Sequence, residues 1–201
     1  MSSTPALHPA AVLLVAICGP TLLAFNEPPS PTALNQAAAV GGWALLLTAT
    51  AVGSSPRQMA AQRSWAVQLA TLLVGACALL SSSLAALPWA LGLSGAAVAA
   101  AAALAMAGGV ASRPSTPFWS SLFAAWLLAG AASVAIGLIQ VFAPQWADGD
   151  WIARSGIPGR AVGNLRQPNH LATLLLWSVV AVVPLIEWQR GAARRAWPWM
   201  A

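Results

Sequence analysis

The chain has 201 residues, of which 59% are hydrophobic and only 6% charged, with a mean hydropathy of +0.73. A water-soluble domain carries roughly a quarter of its residues as charges, so this composition excludes one and points to a polytopic membrane protein. The net charge of +5 does not read as a nucleic-acid surface: the basic residues are all arginine, dispersed between apolar runs, and orientation in a bilayer accounts for them.

A helix needs about 20 mainly apolar residues to cross the hydrocarbon core. Six stretches meet that length, at residues 7–25, 33–53, 65–87, 89–111, 118–142 and 169–188. The fold class is therefore all-α, a membrane helix bundle of six spans, with one longer polar loop over 143–168. Proline, serine and glycine punctuate the breaks, as in "NEPPSPT" and "SRPSTP". The first run lacks a basic leading region and a small-residue cleavage site, so it reads as a retained helix. The alanine-rich run "SGAAVAAAAALAMAGGVA" presents small residues that let helices approach closely in lipid.

Arginine placement orients the bundle. With the N-terminus cytoplasmic, Arg57, Arg63, Arg113, Arg190, Arg194 and Arg195 lie inside and Arg154, Arg160 and Arg166 outside, the better balance of the two topologies. Glu27, Asp148 and Asp150 then fall outside, as does the long loop. Trp43, Trp65, Trp89, Trp119, Trp177 and Trp188 sit mostly near helix ends as interfacial anchors. Cys18 and Cys77 lie within apolar runs and behave as small hydrophobes. The two histidines, His8 and His170, are far apart in sequence, so no metal site and no cofactor is expected.

The polar groups of this greasy chain collect in "GRAVGNLRQPNHLA", at the mouth of the last span. Pro168 suits the first turn of a helix, and Gln167 before it the cap. Unpaired N–H groups and the positive end of the helix dipole then lie beside Arg160 and Arg166, an arrangement that suits a phosphate. Gly156, Gly159 and Gly163 allow tight turns, while Asn164, Gln167 and Asn169 add neutral donors and acceptors. A lipid diphosphate carrying a sugar matches that mixture. A purely structural reading stands beside it: the arginines pair with Asp148, Asp150 and headgroups, the amides cap a helix, and His170 faces water. Gln68 and Gln140 hydrogen-bond between helices or line a cavity.

The run Arg160, Gly163, Asn164, Gln167, Pro168, Asn169 resembles the bacterial protein O-oligosaccharyltransferases, or protein glycosylation ligases, relatives of the O-antigen ligases and polymerases. The resemblance implies transfer of an oligosaccharide from undecaprenyl diphosphate to serine or threonine hydroxyls of exported proteins, on the periplasmic face of the bacterial inner membrane. It implies a catalytic role for Gln167 and substrate binding by Arg160, Asn164, Arg166, Asn169 and His170. The expected partners are the lipid-linked donor, the exported acceptor protein and the bilayer, with no nucleic acid. Members of that family run to several hundred residues, with a second, larger histidine-bearing periplasmic loop; the 201 residues are expected to be an N-terminal part, inactive alone. The alternatives are an O-antigen ligase acting on lipopolysaccharide core and, from another class, a non-catalytic scaffold or transporter fragment.

Overall fold

A computed structural model describes residues 9–26, 32–51, 65–85, 87–112 and 115–196. These residues form six long helices and no strand: α1 (Pro9–Leu22), α2 (Ala33–Ala51), α3 (Trp65–Leu84), α4 (Trp89–Ser112), α5 (Thr116–Phe142) and α6 (Pro168–Ala196). A single 3-10 turn, Pro144–Trp146, follows α5. The all-α polytopic class read from composition is borne out. Arg57, Arg63, Arg113, Glu27 and His8 lie outside the described residues.

Four helices are long and apolar enough to cross a membrane, α3, α4, α5 and residues 168–190 of α6. The other two runs fall short among the described residues. The apolar part of α1 is Ala10–Leu22, a shorter helix, and α2 dilutes its apolar residues with Asn35, Gln36 and Thr48. The helices α3, α4 and α5 are apolar all round rather than on one stripe, as lipid on the outer face demands. Val74 on α3 and Val98 on α4 accordingly remain 67% and 70% exposed.

The chain divides into two compact units, residues 47–114 and the remainder. In the first, α3 packs on α4 through small residues: a Cβ on Gly75 would stand 3.0 Å from the Ala99 methyl, and one on Gly95 3.0 Å from that of Ala78. Where the hydrophobic effect does not separate helix from lipid, such close fit supplies the attraction.

In the second unit α5 is the central post, with α1 and α6 packed against it. Val12 and Leu13 of α1 meet Phe118 and Leu122 at the start of α5, and Ile17 meets Ala125 and Ala129 further on. The two helices therefore run in the same direction. By contrast, Trp119 and Phe123 near the start of α5 lead to Trp188 late in α6, with Phe123 and Trp188 centroids 5.7 Å apart, so α6 runs antiparallel. Gly130 sits against Ser178, whose hydroxyl donates to the carbonyls of Trp126 and Leu174, both at 2.8 Å. A Cβ at Gly130 would overlap that serine. This topology brings the ends of α1 and α5 and the start of α6 to one end of the unit, where the polar loop lies.

Gly130→Leu is expected to destabilise the bundle by about 1–3 kcal/mol or more through overpacking. Gly41→Leu, whose added Cβ meets nothing within 4 Å, should leave the thermal unfolding midpoint in detergent nearly unchanged.

Candidate functional site

The loop between α5 and α6 is ordered by side chains rather than by secondary structure. Its first half closes on Asp148, whose Oδ1 accepts from the backbone N–H groups of Asp150, Trp151 and Ile152 at 3.0, 2.9 and 3.1 Å. Gly149, at φ 98°, supplies the left-handed residue of that turn. Three hydrogen bonds to the charged form, led by those from Ile152 and Trp151, hold the Asp148 carboxyl below its ordinary range. A second turn forms on Ser155, whose hydroxyl donates to the carbonyls of Ile157 and Arg160 at 2.8 and 2.7 Å.

Two buried amides then fasten the loop to the helices. Gln140, in the last turn of α5 and 2% exposed, donates through Nε2 to the carbonyls of Ala153 and Gly163 at 2.6 and 3.2 Å. Its Oε1 accepts from the N–H groups of Val162 and Gly163, each at 2.9 Å. Asn164, 1% exposed, accepts from Ala153 N–H at 2.9 Å and donates to the carbonyls of Trp151 and Leu22 at 2.9 and 2.6 Å. Ala153 is thereby gripped at both its N–H and its carbonyl, and is fully buried.

The same end of the bundle collects the carbonyls that the end of α1 would otherwise leave unpaired. Asn35 of α2 donates to Pro20 and Leu23 at 2.7 and 2.8 Å, Asn164 takes Leu22, and Arg166 Nη2 donates to Ala24 at 2.8 Å. A cation there also complements the negative end of the α1 dipole.

Arg166 has φ 56°, the left-handed conformation among non-glycine residues of the described chain, which costs a side chain roughly 1–2 kcal/mol. The strain turns the chain into α6, and the guanidinium bond to Ala24 holds it there. Its Nε is buried without a partner. Gly163, at φ 62°, is required for a second reason: a Cβ there would come 3.1 Å from Leu171. Gly159 is also left-handed, at φ 73°, whereas Gly156 is not.

Of the residues singled out from sequence, Asn164 and Arg166 are thus engaged by the chain itself. Gln167 stands at the cap of α6, with its carbonyl accepting from Leu171 N–H at 3.0 Å, and Pro168 begins the helix. The side chains of Arg160, Gln167, Asn169 and His170 are exposed. His170 also reaches a cleft of about 310 Å³ lined by Ile17, Pro20, Gln36, Trp126 and Leu165. In sequence Gln140 stands beside Gln68 as an amide that bonds between helices or lines a cavity; its loop partners lie 13 to 23 residues away, and no local pattern marks them. A second pocket, of about 500 Å³, lies in the loop, lined by Gln140, Gln145, Arg154, Ile157, Pro158 and neighbours. No group of three or more His, Cys, Asp or Glu residues gathers to hold a metal among the described residues.

Fold and site define a multi-pass helical membrane protein that carries an arginine- and amide-bearing loop at the mouth of α6. Residues 161–185, which include the Gly163–Asn169 run and the first turns of α6, match the family of protein glycosylation ligases. No curated protein matches the chain, and no solved structure does. The match spans 25 of the 201 residues and points, coarsely, to a transferase with a glycan donor, while the long apolar helices point to a bilayer.

The Asp148 turn gives a pH prediction. A carboxyl held low contributes order that is fully present above its ordinary range and is lost as pH falls through its lowered value. The turn should therefore be unchanged around neutrality and melt only in strong acid. The Asp148 carboxyl, followed by NMR, should titrate below the ordinary aspartate range. Asn164→Ala should leave the N–H of Ala153 and the carbonyls of Trp151 and Leu22 without partners, at a cost of about 1–3 kcal/mol for a buried orphan. Faster proteolysis between residues 151 and 164 would report it.

Proposed function

We propose that this protein takes part in transferring an oligosaccharide from undecaprenyl diphosphate to serine or threonine hydroxyls of exported proteins, at the periplasmic face of the bacterial inner membrane. The observation that carries the reading is a coincidence of place. The segment that matches the protein glycosylation ligases is the one in which a strained, anchored Arg166 delivers an exposed Gln167 to the start of a membrane helix.

The chemistry asks for such a junction. The acceptor hydroxyl oxygen attacks the anomeric carbon, the bond from that carbon to the diphosphate oxygen breaks, and the electron pair leaves on the phosphate. Charge thus develops on a group at the membrane surface. Preorganised donors aimed at it stabilise the transition state. The free N–H groups at the start of α6 and the exposed Arg160 provide them, with Gln167 as the residue nearest the reacting centre. Asn169 and His170, one turn along and exposed, orient the donor. Asn164 and Arg166 contribute by fixing the backbone; Arg166, with Nη2 bonded to Ala24 and Nε buried, has only Nη1 to offer the diphosphate. The hydroxyl proton passes to a base outside this stretch, since His170 belongs to the donor side. The bilayer holds the lipid tail of the donor, and the N-terminus lies in the cytoplasm.

Two substitution tests follow. Gln167→Ala, in the protein as its gene encodes it, should abolish glycan transfer to an exported acceptor while membrane insertion and thermal stability stay as they were; normal transfer would contradict the proposal. Arg160→Lys should lower transfer without changing stability, because an ammonium cannot reproduce bidentate phosphate contacts. Arg166→Lys should lower both, having lost the bond to Ala24.

A further inference from the structure

The loop pocket has a lining separate from the mouth of α6: none of Arg166, Gln167, Asn169 and His170 contributes to it. Pro144, Ile157 and Pro158 give it flat apolar walls, Gln145 an amide, and Arg154 its charge. The guanidinium of Arg154 is oriented, because Nε donates to the Ala147 carbonyl at 3.1 Å. That bond fixes the plane and leaves the terminal nitrogens without an acceptor from the described chain.

The acids nearest in sequence do not neutralise it. Asp148 turns Oδ1 to three backbone N–H groups, and the ion pair among the described residues joins Arg190 to Glu187. Ser155 is likewise committed, to the carbonyls of Ile157 and Arg160, and braces the rim. An oriented guanidinium with free terminal nitrogens matches a carboxylate or phosphate, which it meets with two parallel bonds. A volume of about 500 Å³ with a few polar groups among apolar walls is the usual make-up of a small-ligand site. Proline and isoleucine faces suit the C–H face of a sugar ring.

We propose that this pocket binds a sugar unit bearing an oxyanion, a carboxylate or a phosphate substituent, within the glycan that is transferred, and that Arg154 recognises that group. The inference rests on the reading that the protein handles a glycan, and it adds a preference for acidic glycans.

Saturation-transfer NMR on the purified full chain in detergent tests it directly, with glucuronic acid, glucose 6-phosphate, glucose and inorganic phosphate as probes. Glucuronic acid or glucose 6-phosphate should bind, and whichever binds better identifies the oxyanion. Glucose should bind more weakly by about tenfold, the worth of one charge-assisted contact, and inorganic phosphate more weakly as well, because it has no ring to lay on the apolar walls. Arg154→Gln should erase the preference. Ile157→Trp, an exposed position that fills the pocket without touching the Arg154–Ala147 bond, should block binding. Gln167→Ala should leave it intact. Equal binding of glucose, equal binding of phosphate alone, no binding of any probe, or an unaffected Arg154→Gln variant would overturn the inference. Loss of glycan transfer plays no part in these outcomes, so the pocket and the transfer reading can fail separately.

Discussion

The loop at the polar end of this protein is fastened to α5 by the carboxamide of Gln140. A glutamine side chain can make four hydrogen bonds, two given and two received, and this one makes all four, to the backbone of Ala153, Val162 and Gly163. A loop laid over the end of a membrane bundle must satisfy its buried backbone groups within the protein, since nothing apolar around it can. Gln140 does so from the last turn of α5. It thereby converts an irregular segment into a fixed extension of the helix.

Asn164 repeats the device from the loop side and links it to the end of α1 through Leu22. Arg166 adds the neighbouring bond to Ala24. Three helices and the loop are thus joined through backbone groups rather than through charge pairs. For the proposed transfer the effect is indirect but specific. The residues that remain exposed, Arg160, Gln167, Asn169 and His170, sit on a backbone that is already held. A site that must meet a developing charge benefits from donors that need not reorganise. The strain at Arg166 is an example: a left-handed arginine persists only where its surroundings over-determine it, and here the turn of Gly163 to Arg166 and the Ala24 contact do so.

Much of this was legible in the sequence. Apolar runs and their proline and glycine breaks locate the helices, because burial in lipid needs length and little else. Pro168 marks the start of α6, and the polar cluster before it marks the loop as the place of interest. The division of labour inside the cluster was not legible. Asn164 and Gln167 are both amides in one short run, yet one is buried and bonded to residues as distant as Leu22, the other exposed at a cap. Only tertiary contacts separate them. Gln140 looked no different from Gln68 for the same reason, and Arg154 stood in the sequence as one outer arginine among three until its bond to Ala147 placed it in a pocket.

One amide in α5 folds the loop. Hydrogen–deuterium exchange of Gln140→Leu against the unaltered protein tests it most directly. Leucine has similar bulk but leaves the N–H groups of Val162 and Gly163 and the carbonyl of Ala153 orphaned, at about 1–3 kcal/mol for each buried group that cannot find water. The expected result is a gain of exchange by at least about tenfold across residues 151–167, with α1, α5 and α6 protected as before. Unchanged protection of that loop would contradict the account.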